Sequence, residues 1–285
     1  MSARADPLVS RAWLAERLNA PDIRVIDASW FPPGDARDAK ALYAERRIPG
    51  AIFFDIDDIA DTENPLPHML PSPEKFASRM RKLGIGDGAR VIVYDAQGLF
   101  SAARVWWTFR VMGHNDVSVL DGGFPAWEAG GCPIETGPPH LRGERHFTSQ
   151  FRADLVADLS DMRRLVEAGK TPVLDARPAA RFSGDAPEPR AGLKPGHMPG
   201  ALNVPASALI NGAGSLRTQA ELQSIFGVAG ADISRPIVCT CGSGVTAAII
   251  ALALARLGRW DARIYDGAWA EWGALPDTPI ATGAA

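Results

Sequence analysis

The chain has 285 residues, a hydrophobic share of 46% and a formal net charge of −3, enough for two ordinary domains with packed cores. So slight a charge excludes a strongly polyanion-binding chain, and no nucleic-acid partner is expected. The longest wholly apolar run, Ala247 to Ala255, is far short of the roughly 20 residues of a membrane helix, so no membrane partner is expected either.

From the N-terminus, MSARADPLVSRAWLAERL shows no apolar leader. With only three cysteines and no disulfide framework, a reducing cytoplasm is the expected compartment. Short β-branched runs then alternate with helical patterns. IRVIDA (from Ile23), RVIVYDA (from Arg90) and VSVLDGG (from Val117) are predicted strands. SPEKFASRMRKLGI is a helix with Ser72 as N-cap and Pro73 in its first turn, and SAARVWWTFRVMG is a second helix. In the second half, RTQAELQSIFGVAG carries Thr218 as cap and Glu221 at capping-box spacing. IVCT, ending at Thr240, is a buried strand. TAAIIALALARLG is apolar all round and therefore a buried helix, with Gly258 as its C-terminal stop.

The chain repeats itself. VIDASW from Val25 returns as VLDARP from Val173, RIPGAIFFD from Arg47 as HMPGALNVP from His197, RVIVYDAQG from Arg90 as RPIVCTCGS from Arg235, and VSVLDGGFPAW from Val117 as ARIYDGAWAEW from Ala262. The offsets are 148 for Asp27 and Asp175, 150 for Pro49 and Pro199, 146 for Asp95 and Cys241, and 145 for Asp121 and Asp266. Four blocks in one order at nearly constant offset define a duplicated domain. The polar stretch IETGPPHLRGERHFTSQFRADL carries the join, giving domains 1–140 and 141–285. The expected fold class is α/β: two tandem domains, each a mostly parallel sheet with helices on both faces.

Cys241 falls at the carboxyl end of a strand, where open α/β sheets bind ligands. Gly242 and Gly244 let the backbone curl, so that successive N–H groups point inward as an anion nest. The helix that follows adds positive potential at its N-terminus. Both effects favour a thiolate. The competing reading of Cys241 is a small apolar residue at a strand end. Asp95 at the repeated position weighs against it, because a carboxylate does not replace a buried apolar side chain cheaply. One loop is read as active and the other as retired. Cys239 on the strand and Cys132 are read as structural. No CxxC or His-x3-His partner completes a metal site, so no metal and no cofactor is expected. A cysteine-phosphatase loop is disfavoured because Ala247 stands where its arginine would be.

The loop CGSGVTA, Cys241 to Ala247, on tandem repeats that span nearly the whole chain, resembles the two-domain rhodanese-type sulfurtransferases, and most closely their mercaptopyruvate-using branch. Thiosulfate-using members carry basic residues where this chain has Gly242 and Ser243. The resemblance implies that only the second domain is catalytic. It implies that the Cys241 thiolate takes sulfur from 3-mercaptopyruvate as a persulfide and releases pyruvate. A thiol acceptor (thioredoxin-like or glutathione) or cyanide then removes the outer sulfur, in covalent, ping-pong fashion. Gly242, Gly244, Val245 and Thr246 are implied to line the substrate site. Arg181 and Arg190, in ARPAARFSGDAPEPRAGLKPGHMPG, match the arginines that hold the donor's carboxylate and ketone. Asp57 and His68, in FFDIDDIADTENPLPHML, match an acid and a histidine that would join Ser243 in moving a proton. For each arginine the alternative is a surface salt bridge, which is the reading kept for Arg177 and Arg152. For His68 the alternative is a structural histidine. His197 is read as structural, and His114, His140 and His146 show no pattern. The eight tryptophans are read as core and interdomain packing. Two further functions stay open: thiosulfate:cyanide sulfur transfer, and a non-catalytic persulfide carrier.

Overall fold

The computed structural model describes residues 6–139, 143–169 and 172–284. By contact the chain divides into two units. The first holds the residues up to Asp61, Leu70–Arg152 and Gly212–Leu216. The second holds Thr62–Met69, Ala153–Asn211 and the residues from Arg217 on. The expected join at 140/141, and with it His140, lies outside the described residues.

The first unit contains strands β1 (Leu8–Val9), β2 (Ile23–Asp27), β3 (Ile52–Phe53), β4 (Arg90–Tyr94) and β5 (Val117–Leu120), in the sheet order β1-β5-β4-β2-β3. Every pairing is parallel. The second unit contains β6 (Val156–Ala157), β7 (Val173–Asp175), β8 (Leu202–Asn203), β9 (Val238–Thr240) and β10 (Arg263–Tyr265), in the order β6-β10-β9-β7-β8, again all parallel. The repeat seen in sequence is thus a repeat of topology. Parallel strands are covered on both faces, which is why VIVY of β4 and VCT of β9 are buried throughout instead of alternating.

The helices follow their local signals. In the first unit these are α1 (Arg11–Arg17), α2 (Ala39–Glu45), α3 (Pro73–Lys82), α4 (Ala102–Val111) and α5 (Gly123–Ala129). In the second they are α6 (Leu159–Ala168), α7 (Ala179–Ser183), α8 (Gln219–Val228), α9 (Ala247–Arg256) and α10 (Ala268–Trp272). Ser72 accepts the Lys75 N–H at the start of α3, with Pro73 at its first position. Thr218 and Glu221 cap each other at the start of α8. On α9 the residues from Ala247 to Ala255 are all buried. Truncating one of the larger ones, such as Leu252→Ala, is worth about 2–5 kcal/mol. The helix ends in a Schellman motif. Gly258, at φ 88°, donates to Ala255 O at 2.9 Å and Arg259 N donates to Leu254 O at 2.8 Å. On α4 even the arginines are buried, Arg104 lying 4.6 Å over the ring of Trp107 and Arg110 4.8 Å over Trp106. Trp127 fills the core of the first unit, and Trp269 and Trp272 fill that of the second. Among the described residues no helix is long and apolar enough to cross a membrane.

Candidate active site

In the second sheet the chain leaves β7 toward β8 on one side and leaves β9 toward β10 on the other. The carboxyl ends of β7 and β9 therefore flank the point where the connections diverge, the place at which open α/β sheets hold their ligands. Cys241 follows β9, and the arginines of α7 follow β7. The Asp175–Thr240 register sets these two strand ends level with each other.

Cys241 is 1% exposed. Its carbonyl accepts the Trp269 N–H and the Gly242 carbonyl accepts the Ala270 N–H, each at 2.9 Å, so the first turn of α10 pins the loop from behind. Gly244 turns the chain with φ +78°, a conformation that favours glycine. Ser243 and Val245 are buried, and Thr246 is the half-buried N-cap residue of α9, without a side-chain capping bond. Ala268 is held at φ 51°, unusual for a residue with a side chain. Its counterpart in the first unit is Gly123 at φ 54°.

The corresponding loop of the first unit shows what such a loop accommodates. Asp95 is fully buried. Its Oδ2 accepts the N–H groups of Phe100, Ser101 and Ala102 at 2.8, 3.0 and 2.9 Å, and its Oδ1 accepts that of Gln97 at 2.9 Å. The Phe124 N–H to Asp95 carbonyl bond, at 3.0 Å, repeats the one from Trp269 to Cys241. The first loop thus closes four backbone N–H groups around its own carboxylate as an anion nest. At the offset of 146 the corresponding residues of the second loop are Ser243, Thr246, Ala247 and Ala248.

Beside the loop lies a chain of charges. The Arg177 guanidinium is 1% exposed and binds the Asp175 carboxylate through Nε at 3.0 Å and Nη2 at 2.6 Å. It also donates to Gly196 O at 2.9 Å and lies 4.1 Å over the Trp269 ring. Its Nη1 donates to Glu188 Oε1 at 2.8 Å. Glu188, itself 2% exposed, accepts from Arg181 through Oε1 to Nε at 3.3 Å and through Oε2 to Nη2. Arg181 is 23% exposed, and its Nη2 lies 2.9 Å from the point that a Cβ on Gly242 would occupy. Arg177 therefore departs from the surface role expected of it. Asp175 and Glu188 satisfy its charge below the surface, where an unpaired guanidinium would be costly. Glu188 was not singled out in the sequence. Its signal was slight, one acid between two arginines in a proline-rich turn.

The other expected residues are distributed as follows. Arg190 is half-buried two residues beyond Glu188. His68 is buried at φ 61° in Thr62–Met69, a segment that belongs to the second unit although it precedes α3 in the chain. Asp57 belongs to the first unit and accepts the Trp30 indole N–H at 3.0 Å. It borders a cavity of about 360 Å³ beyond β2 and β3. His197 stacks on Phe182 at 3.8 Å, and its Nδ1 bonds the Phe182 carbonyl at 2.8 Å, an anchoring role. Cys239 is wholly buried, which pushes its thiol well above the usual range and suits the core role expected of it. Cys132 packs half-buried against the first core.

A five-stranded parallel sheet, built twice, with one switch-point loop holding a cysteine and the other a carboxylate, defines a duplicated domain whose two loops have diverged. The rhodanese-like domain model matches residues 10–130 and 158–275, and the chain belongs to the rhodanese-like family. It is 45% identical to the 3-mercaptopyruvate sulfurtransferase of Escherichia coli strain K12 over 273 residues, covering 95% of this chain and 96% of that protein. It is 41% identical to thiosulfate/3-mercaptopyruvate sulfurtransferase 1, mitochondrial, of Arabidopsis thaliana, covering 97% and 78%. The crystal structure of SseA from Escherichia coli, described as a rhodanese-fold 3-mercaptopyruvate sulfotransferase, superposes with a TM-score of 0.85 at 42% identity, covering 94% of this chain and all of that one.

Proposed function

We propose that the chain is a sulfurtransferase that takes the sulfur of 3-mercaptopyruvate onto Cys241 and passes it to a thiol acceptor, such as thioredoxin or glutathione, or to cyanide. The observation that carries the donor assignment is the Arg181 guanidinium standing beside Gly242 in an uncharged loop. A donor whose charge is a carboxylate several atoms from its sulfur needs its cation beside the nucleophile loop. A dianion such as thiosulfate is better served by cations within it. The relatives that carry the mercaptopyruvate name support the same assignment.

The chemistry balances without a cofactor. The Cys241 thiolate attacks the donor sulfur, a sulfur–sulfur bond forms, and the carbon–sulfur bond breaks with its electron pair on carbon. The resulting enolate takes up the proton that the donor thiol gives up and leaves as pyruvate. The acceptor then attacks the outer sulfur and returns Cys241 as thiolate. The N–H groups of the loop, among them those of Ser243, Thr246, Ala247 and Ala248 by the repeat, stabilise the persulfide anion, as the first loop's N–H groups hold Asp95. Arg181 and Arg190 hold the donor's carboxylate and ketone. Ser243 and His68 are assigned the proton transfer, and Asp57 is kept with them on the family resemblance alone. All three cysteines are free, which suits a reducing cytoplasm.

The test compares initial rates with 3-mercaptopyruvate and with thiosulfate, each with a thiol and with cyanide. The account predicts much faster turnover of mercaptopyruvate and none in Cys241→Ser, whose fold survives. Preference for thiosulfate overturns the donor assignment. A persulfide on Cys241 with no turnover of either donor makes the protein a carrier.

A further inference from the structure

Arg181 has two edges on which a planar anion can sit. One is the side edge, formed by Nε and Nη2, and the other is the end, formed by Nη1 and Nη2. Glu188 occupies the side edge with both of its oxygens. The end remains for a ligand, and the side chain is exposed enough to meet one. Glu188 is not itself loose. Its Oε1 is also held by Arg177, and Arg177 is fixed to Asp175 at the end of β7, to the Gly196 carbonyl and over Trp269. The rigid sheet thus sets the direction of the Arg181 fork through two buried intermediates.

The charges add a second effect. Asp175, Arg177, Glu188 and Arg181 alternate in sign and sum to zero. The cation beside the nucleophile loop is therefore largely neutralised from behind. A monoanionic carboxylate still gains two directed hydrogen bonds at the fork. A dianion that depends on net positive potential gains little from these four groups and is left with Arg190 alone.

We propose that Glu188 is a specificity-determining positioning residue. It aims the Nη1/Nη2 end of Arg181 at the donor's carboxylate and offsets the net charge that would otherwise attract thiosulfate, with Arg177 holding it in place. The assignment rests on the mercaptopyruvate reading above and names the residues that enforce it.

The test is a double-mutant cycle of Glu188→Gln and Arg181→Ala, with kcat and KM measured for both donors and folding followed by thermal melts. In Glu188→Gln, the mercaptopyruvate-to-thiosulfate ratio of kcat/KM falls by about tenfold or more. The loss lies in the mercaptopyruvate KM more than in kcat, and the thiosulfate kcat/KM rises. Placed in the Arg181→Ala background, Glu188→Gln moves the ratio no further. Glu188→Asp, which keeps the charge on a shorter arm, recovers part of the loss. A parallel fall for both donors, an unchanged ratio, or an effect that persists without Arg181 overturns the assignment. Should Glu188→Gln not fold, nitrogen-15 NMR of the wild-type arginine side chains decides. Restricted rotation and a slowly exchanging Nε–H at Arg181 are expected, and a freely averaging guanidinium overturns the proposal. Wild-type failure to use mercaptopyruvate at all sinks the functional reading, whereas normal wild-type turnover with an unaltered ratio in Glu188→Gln sinks only this one.

Discussion

The Arg181 Nη2 atom and Gly242 share one space: the nitrogen lies 2.9 Å from where a side chain on residue 242 would begin. The glycine is thus explained by its neighbour as well as by its own backbone. In this chain the cation beside the loop comes from α7, at Arg181, and the loop itself carries none.

Gly242→Ala should therefore disturb binding more than folding. The new methyl meets the end of the Arg181 side chain and not backbone, so its cost is the displacement of that guanidinium from its place beside the loop, and the melting temperature should fall only slightly. Displacement of the guanidinium should raise the mercaptopyruvate KM several-fold, by roughly 1 kcal/mol of lost donor binding. Steady-state kinetics with parallel melting curves check this. An unmoved KM would mean that Arg181 does not hold the donor.

Asp95→Ala should be among the most damaging substitutions outside the catalytic loop. It leaves four N–H groups, those of Ser101 and Ala102 buried and those of Gln97 and Phe100 partly so, facing an empty centre. With each orphaned buried donor costing about 1–3 kcal/mol, partly relieved by water, a loss of about 3 kcal/mol or more is expected. Asp95→Asn, which keeps one acceptor oxygen, should lose less. Urea unfolding of both variants checks the order, and an alanine variant as stable as the parent would show that the nest does not need its anion.

Much of this was legible beforehand because the repeat blocks each hold a strand end and the turn after it. Aligning Asp95 with Cys241 located the two corresponding loops, and the wholly apolar run after Cys241 announced a buried helix. The buried arginine was not legible. Arg177 differs from a surface arginine only in having Asp175 two residues before it on a buried strand. The effect of that spacing depends on Glu188 and Trp269, 11 and 92 positions on. Nor does any pattern in the long connection between β3 and α3 reveal that Thr62–Met69 packs with the second unit. It has neither helical nor strand periodicity to constrain it.

The same comparison of repeats yields a pH prediction. Asp27 stands where Asp175 stands in the second unit, but Ser29 replaces Arg177, so the buried guanidinium that neutralises Asp175 has no counterpart at that position. Burial pushes its carboxyl up to about 6, against the Ser29 hydrogen bonds that pull it down. A carboxyl raised in the folded state favours folding at pH below its unfolded value near 3.8, and this contribution is lost as pH rises through about 6. Asp27→Asn should remove that dependence. Relative to the parent, it should gain stability between pH 4 and pH 7, reaching about 3 kcal/mol at neutral pH. Urea midpoints across that range check it. A parent-to-variant difference that does not change with pH would show that Asp27 is ionised throughout.

The most direct test of the account is the intact mass of the protein after mixing with 3-mercaptopyruvate in the absence of acceptor, with pyruvate assayed alongside. The account predicts one added sulfur atom per chain, located on the Cys241 peptide, one pyruvate released for each, and loss of that sulfur when a thiol or cyanide is added. Cys241→Ser should gain none. Pyruvate release without sulfur on Cys241, or the same mass gain in Cys241→Ser, would contradict it.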